Sequence, residues 1–244
     1  MTKPEIIVFN TPDELAQAAA EQFATAAEEA IANHGRFRVA LSGGNTPKQV
    51  YSLLGSGIFD ERVRWSQVDL FFGDERCVLP EDPQSNYRMV RETLVSQVPI
   101  PQKNVHRIQG ELTPAKAAAL YDSELKKIFA GSSWPRFDLV FLGLGEDGHT
   151  ASLFPSSLPI DENAWVAASW VKQLNSFRIT LTAPALNAAA KIIFLVTGLN
   201  KAKTLVEVLN GPFDPQRLPA QRMQPTDGAF IWMVDAAAAS TLKS

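Results

Sequence analysis

The chain has 244 residues, 45% of them hydrophobic, with 14 glycines, one cysteine and a formal net charge of −3. The apolar fraction can fill a real core, and at ~150 residues per domain the length does not force a second one, so residues 1–244 read as a single domain. The charge argues against bulk nucleic-acid binding, and the lone Cys77 excludes an internal disulfide and any cysteine-based zinc cluster. No run reaches the ~18 apolar residues of a membrane span.

The N-terminus carries neither a basic leader nor a cleavage signature, so the expected location is cytoplasmic, without membrane or nucleic-acid partners. Glu5 to Phe9 is a short strand, and Thr11-Pro12-Asp13-Glu14 is a capping box that opens an alanine-rich helix to about Asn33. Arg36 to Leu41 is a second strand, followed by the turn Ser42-Gly43-Gly44-Asn45-Thr46-Pro47 and a helix over Lys48 to Leu54. Two adjacent glycines let a ligand approach the backbone, and amides at a helix start favour an anion, so Ser42, Gly43, Gly44 and Thr46 form a candidate phosphate cradle. Thr46-Pro47 by itself is an ordinary helix opening, as at Thr11 and Thr113.

Val68 to Phe72 is a third strand, ending in Gly73-Asp74-Glu75-Arg76. A charged turn is normally a solvated loop with an internal ion pair. Its place past a strand end makes Asp74 and Arg76 candidate ligands for a phosphorylated molecule. Ser85-Asn86-Tyr87 opens a helix to about Gln97, Val105 and Ile108 mark an edge strand, and Thr113 to about Ala130 is an amphipathic helix. Cys77 reads as a small packed hydrophobe. His34 and His106 have no partner the sequence identifies, and no metal-ligand spacing exists, so neither a metal nor an organic cofactor is expected.

Leu139 to Leu142 is a buried parallel strand that ends in Gly143-Leu144-Gly145-Glu146-Asp147-Gly148-His149. The glycines formally match a dinucleotide fingerprint. That motif needs a long following helix and an acidic residue closing the next strand, whereas Pro155 and Pro159 cut any helix short and Asp161 and Glu162 fall in a polar loop. Trp165 to Ser169 and Phe177 to Thr182 read as strands, Thr182-Ala183-Pro184 caps a short helix, and Lys191 to Val196 is another buried strand. Thr197-Gly198-Leu199-Asn200-Lys201 then places a lysine on a first helical turn, where it opposes the helix dipole unless an anion is bound there. Gly211 to Pro225 is a loop, and Ala229 to Val234 a last strand before a short alanine-rich helix.

Four strand ends thus carry Ser42-Gly43-Gly44, Asp74-Glu75-Arg76, Asp147-Gly148-His149 and Gly198-Lys201. The expected fold is α/β, a mostly parallel Rossmann-like sheet with helices on both faces. In such a sheet all four turns share one edge, which points to acid–base chemistry on a phosphorylated small molecule. Neither Ser42 nor Ser152 has a histidine–carboxylate partner in sequence, and no GxSxG occurs, so a covalent serine route has little support.

In their order, SGGNTP, GDERCV with SNY, LGLGEDGHTASLFP, RITLT and TGLNKAK resemble the 6-phosphogluconolactonases of the glucosamine-6-phosphate isomerase/deaminase-like superfamily, over nearly the whole chain. The resemblance implies hydrolysis of 6-phospho-D-glucono-1,5-lactone in the oxidative pentose phosphate pathway, without cofactor. It makes His149 the catalytic base, Asp147 its neighbour, and Arg76 and Lys201 phosphate ligands. An activated cyclic ester needs a base more than a nucleophile, and a histidine with its ordinary pKa near ~6.5 suits that task.

The alternative on the same fold is a sugar-phosphate deaminase. Deaminases continue the Gly-His pair as Ile-Ala-Phe-Asn-Glu-Pro, where this chain has Thr150-Ala151-Ser152-Leu153-Phe154-Pro155 and lacks the glutamate. A non-catalytic sugar-phosphate sensor would carry a DNA-binding module, for which no room exists before Glu5. The chain also departs from the family at Gln173-Leu174-Asn175-Ser176-Phe177, where prolines are common, which leaves a role for Arg178 open.

Overall fold

The computed structural model describes residues 4–155 and 163–242. The elements run β1 (Glu5–Phe9), α1 (Pro12–His34), β2 (Phe37–Leu41), α2 (Asn45–Leu54), β3 (Val68–Phe72), β4 (Asp74–Arg76), α3 (Asn86–Val90) and β5 (Val105–His106). They continue with α4 (Pro114–Ile128), β6 (Leu139–Gly143), β7 (Val166–Val171), β8 (Ser176–Leu181), α5 (Ala183–Asn187), β9 (Lys191–Val196), α6 (Ala202–Asn210) and β10 (Ala229–Asp235). Pro159, Asp161 and Glu162, invoked above against a dinucleotide site, lie outside the described residues.

Seven strands form one wholly parallel sheet in the order β1-β10-β9-β6-β2-β3-β5. The chain works outward from β2 through β3 to β5, and in the other direction from β6 through β9 to β10. The order therefore reverses between β2 and β6, the kind of switch point where open α/β sheets bind ligands. Successive strand side chains alternate faces. On one face α1 lays Phe23 edge-on against Phe37 (5.1 Å between ring centres) and over Phe141 (6.4 Å). On the other, Phe129 just past α4 packs on Phe71 at 5.9 Å. Helices thus cover both faces, and each such buried aromatic contributes about 1.5–3 kcal/mol.

The first helix starts as its sequence requires. Thr11 Oγ1 accepts from the Glu14 amide at 3.1 Å, the Glu14 carboxylate reaches back to the Asn10 amide at 2.9 Å, and Gly35 closes the helix at φ 83°. No helix among the described residues is long and apolar enough to cross a membrane.

Asp74-Glu75-Arg76 is not a solvated turn. It is strand β4, antiparallel to β8, and β8 pairs with β7 to make a second, three-stranded sheet. What pulls these charges inward is Glu75, 2% exposed, whose carboxylate accepts the amides of Arg76, Asn86 and Tyr87 at 2.8 Å each and the Ser85 hydroxyl at 3.1 Å. Burial pushes the Glu75 pKa up, while the amide bonds act against that rise.

Other departures from the sequence expectations are local. The helix α2 starts at Asn45 rather than Lys48, and the helix expected to run to Gln97 is α3 followed by a π-helical turn over Arg91–Val95. Over residues 149–155 there is no helix, only turns closed by a bridge between Thr150 and Leu153. The alanine-rich end forms turns because the Asp235 carboxylate takes both the Gly198 amide and the Ala238 amide, tying the end of β10 to the end of β9. The two other histidines do have partners. His34 Nε2 meets Asp138 at 2.9 Å, and His106 Nδ1 meets Glu124 at 2.7 Å while its ring stacks on Phe71 at 4.4 Å. Cys77 is half-buried against the core, and burial pushes its thiol pKa up, as befits a packed residue.

Candidate active site

A cavity of about 410 Å³ opens at the carboxyl edge where β9, β6, β2 and β3 end. Its wall contains Ser42, Gly43, Gly44 and Thr46 from the turn after β2, Asp74 and Arg76 of β4, His149 after β6 and Lys201 after β9. Of the nine sequence-predicted site residues only Asp147 is not on the wall. It stands behind His149 and accepts from it twice, with Oδ1 at 2.6 Å from Nδ1 and 3.1 Å from the backbone amide.

That pairing determines what the imidazole can do. With Nδ1 held by a carboxylate, Nε2 is the nitrogen left for chemistry, and the ring is braced by stacking on Phe154 at 4.2 Å between centres. Burial raises the Asp147 pKa, but the His149 hydrogen bond and charge outweigh it, so the carboxyl sits below its ordinary range and stays ionised at neutral pH. Glycine at 145 makes the pair possible: a Cβ there would stand 2.0 Å from His149 Nδ1 and 2.6 Å from Asp147 Oδ1.

The turn after β2 presents backbone amides at a helix start on the cavity wall. Gly44 has φ 112° and its carbonyl accepts the first helical bond, from Lys48, so the amides of Asn45 and Thr46 precede the helical ladder. The loop is braced from below, because the buried Tyr51 hydroxyl accepts the Ser42 amide and donates to the Ser42 carbonyl, both at 3.0 Å. Ser42 is 5% exposed and its Oγ has no partner among the described residues, an unmet bond on the cavity wall. Thr46 is not a cap. Its Oγ1 bonds Thr197 Oγ1 at 2.7 Å, joining the turns after β2 and β9. Beyond them Lys201, half-buried, makes no ion pair or side-chain hydrogen bond with any described residue.

On the opposite wall Asp74 Oδ2 accepts from Ser152 Oγ at 2.6 Å, and Arg76 Nη1 is held by the Gln84 carbonyl. Ser152 therefore has a carboxylate partner but no histidine, which leaves it outside any Ser-His-Asp arrangement. Two residues of the site escaped the sequence. Asn86 lines the cavity, donates to Asp74, and explains Gly43, where a Cβ would stand 1.9 Å from Asn86 Oδ1; Thr197 lines it beside Lys201. The signals for Asn86 were the capping Ser85 before it and its place in the SNY motif. Among the described residues no group of three or more histidines, cysteines or carboxylates is placed to hold a metal ion.

Comparison with known proteins agrees with this geometry. Residues 10–232 match the family described as glucosamine-6-phosphate isomerases/6-phosphogluconolactonase. The chain is 38% identical to a 6-phosphogluconolactonase of a Nostoc species, over 89% of this chain and 90% of the relative, and 37% identical to that of a Synechocystis species, over 98% and 99%. The solved 6-phosphogluconolactonase of Trypanosoma brucei superposes with a TM-score of 0.87 at 28% identity, over the full length of both chains. The chain belongs to the glucosamine-6-phosphate isomerase/6-phosphogluconolactonase family.

Proposed function

We propose that this chain is a 6-phosphogluconolactonase of the oxidative pentose phosphate pathway, hydrolysing 6-phospho-D-glucono-1,5-lactone to 6-phospho-D-gluconate with His149 as general base. The observation that carries the mechanism is His149 on the wall of the cavity, held from behind by Asp147, with Ser42, Arg76 and Lys201 on the same wall. The names of the relatives support the substrate.

Water attacks the lactone carbonyl as His149 Nε2 takes its proton, and Asp147 stabilises the imidazolium that forms. The tetrahedral oxyanion collapses by breaking the bond to the ring oxygen, which receives the proton back from His149, and the new acid ionises. A positioned base of this kind contributes 10² to 10⁴ in rate. The phosphate is held by Lys201, Arg76, the Ser42 hydroxyl and the amides about Gly43, Gly44 and Thr46, and Asp74 with its hydrogen-bond network meets the sugar hydroxyls. We further propose that residues 1–244 act as one cytoplasmic domain that needs neither cofactor nor metal, with the sugar phosphate as its only small-molecule partner.

The test is hydrolysis of fresh 6-phosphogluconolactone, corrected for background, by wild type and His149→Ala, beside unphosphorylated gluconolactone and glucosamine 6-phosphate. Fast turnover of the phosphorylated lactone alone, lost by at least ~10² in the variant, is the expected result. Ammonia release from the amino sugar would replace the assignment with a deaminase, and a fully active His149→Ala would remove the base.

A further inference from the structure

The Arg178-Ile179-Thr180-Leu181-Thr182 segment supplies no group to the mechanism above, yet its first residue is a buried cation. Arg178 lies in β8 directly opposite Arg76 of β4. Residues so opposed present their side chains on one face with Cβ atoms ~4.5–5.5 Å apart, and like charges there destabilise the pair. Two positions along, the same face carries Asp74 and Thr180, which hold Ser152 through its hydroxyl and its amide, three residues after His149. Asp74 and Arg76 line the cavity; Arg178 and Ser169 do not, but stand in register with Arg76 on the same face of the small sheet.

Arg178 is 9% exposed. Its side-chain hydrogen bonds all leave from Nη1, to Ser176 Oγ at 2.9 Å and to the Phe177 carbonyl at 3.0 Å. Among the described residues Nη2 and Nε have no acceptor and no carboxylate lies within salt-bridge distance. Buried charges are ordinarily paired. Burial, then the charge of Arg76, pushes the Arg178 pKa below the ordinary guanidinium range, with Asp74, Cys77 and Glu75 acting the other way. A third group shares the deficit. Ser169 of β7 pairs with Arg178 from its other side, is 2% exposed, and its Oγ has no partner among the described residues.

We propose that Arg178 is a specificity-determining residue that shares the substrate's phosphate with Arg76, with Ser169 Oγ as an additional donor. The proposal rests on the assignment of the site to a phosphorylated lactone. A phosphomonoester offers three terminal oxygens, and two planar guanidinium forks from neighbouring strands meet such a group with paired hydrogen bonds. The bound dianion also removes the repulsion between the two arginines, so the unliganded pair is poised for it. A carboxylate formed from the lactone is the other source of the same chemistry.

The experiment compares wild type, Arg178→Met, Arg178→Lys and Ser169→Ala on phosphorylated and unphosphorylated lactone, with inorganic phosphate and gluconate as inhibitors. Arg178→Met is expected to raise KM for the phosphorylated lactone and the inhibition constant of inorganic phosphate by about tenfold or more, the loss of a charge-assisted hydrogen bond. Its kcat and its action on the unphosphorylated lactone stay within about threefold of wild type. Arg178→Lys recovers part of the loss, and Ser169→Ala gives a smaller shift in the same direction. A parallel loss on both lactones with unchanged phosphate inhibition, or weakened gluconate inhibition alone, overturns the proposal. Phosphate binding followed by NMR on wild type and Arg178→Lys keeps the test independent of turnover. If wild type ignores the phosphorylated lactone yet loses phosphate affinity in the variant, the assignment of activity fails and the anion site stands.

Discussion

The two edges of the seven-stranded sheet carry similar numbers of polar residues and treat them in opposite ways. At the amino edge, Arg36 donates twice to Asp69 at 2.6 and 2.5 Å, His106 lies between Asp69 and Glu124, and His34 holds Asp138. Arg38 is the exception, its Nε unmet and its guanidinium lying over Phe129 at 5.0 Å. At the carboxyl edge, Ser42 Oγ and Lys201 lack partners among the described residues, and Ala151 on the cavity wall adopts φ 46°, a conformation that costs a residue with a side chain of order 1 kcal/mol or more. The same scaffold thus supports one edge whose polar groups answer each other and one whose groups await a ligand. Stability and binding are assigned to opposite ends of the strands.

Substitutions can test that division. The largest effect expected is from Gly145→Ala at the carboxyl edge, where the new methyl collides with His149 and Asp147. Displacing a catalytic group by ~1 Å costs about 10² in rate, so kcat falls by that factor while the melting temperature moves little. Equal loss of activity and of stability would mean that this edge also maintains the fold.

Asp69→Asn at the other edge has the opposite signature. It leaves Arg36 and His106 without their shared carboxylate and costs about 2 kcal/mol, below the range for fully buried pairs because Arg36 is partly exposed. For a chain of this length that lowers the melting temperature by roughly 4–8 °C, with kcat and KM unchanged.

The smallest effect sharpens the contrast through pH. Burial lowers the His106 pKa, but its bonds to Asp69 and Glu124 outweigh burial and leave it raised. A raised histidine contributes stability that is fully present below the ordinary histidine pKa and is lost as pH climbs through the raised value. Comparing thermal melts of wild type and His106→Gln should therefore show a gap of a few °C at pH 5.5 that closes by pH 9, with no matching change in activity. A gap that is constant with pH would reduce His106 to packing against Phe71.

The central strands β2, β3, β6 and β9 were legible because they are buried on both faces and so appear as largely apolar runs, and because a glycine stands at or within two residues of each end. The edge where His149, Lys201 and the Ser42 turn meet follows from parallelism alone. Of the second sheet β7 and β8 were legible but β4 was not, since nothing in Asp74-Glu75-Arg76 favours a strand until Glu75 finds amides eleven and twelve residues away and Arg178 lies opposite Arg76. The same holds for Asn86, whose importance lies in touching Gly43 and Asp74 rather than in any local pattern. Residues whose roles follow from position along a strand could be read from the chain; residues whose roles follow from a partner far along it could not.

The switch between β2 and β6 has a kinetic consequence. Their pairing joins Val39 to Leu139, and the cavity between them draws its wall from residues as far apart as Ser42 and Lys201. Contacts of such sequence separation close late and slowly during folding. Neither half of the chain holds the complete pocket, so catalytic competence requires that the β2 and β6 halves be paired.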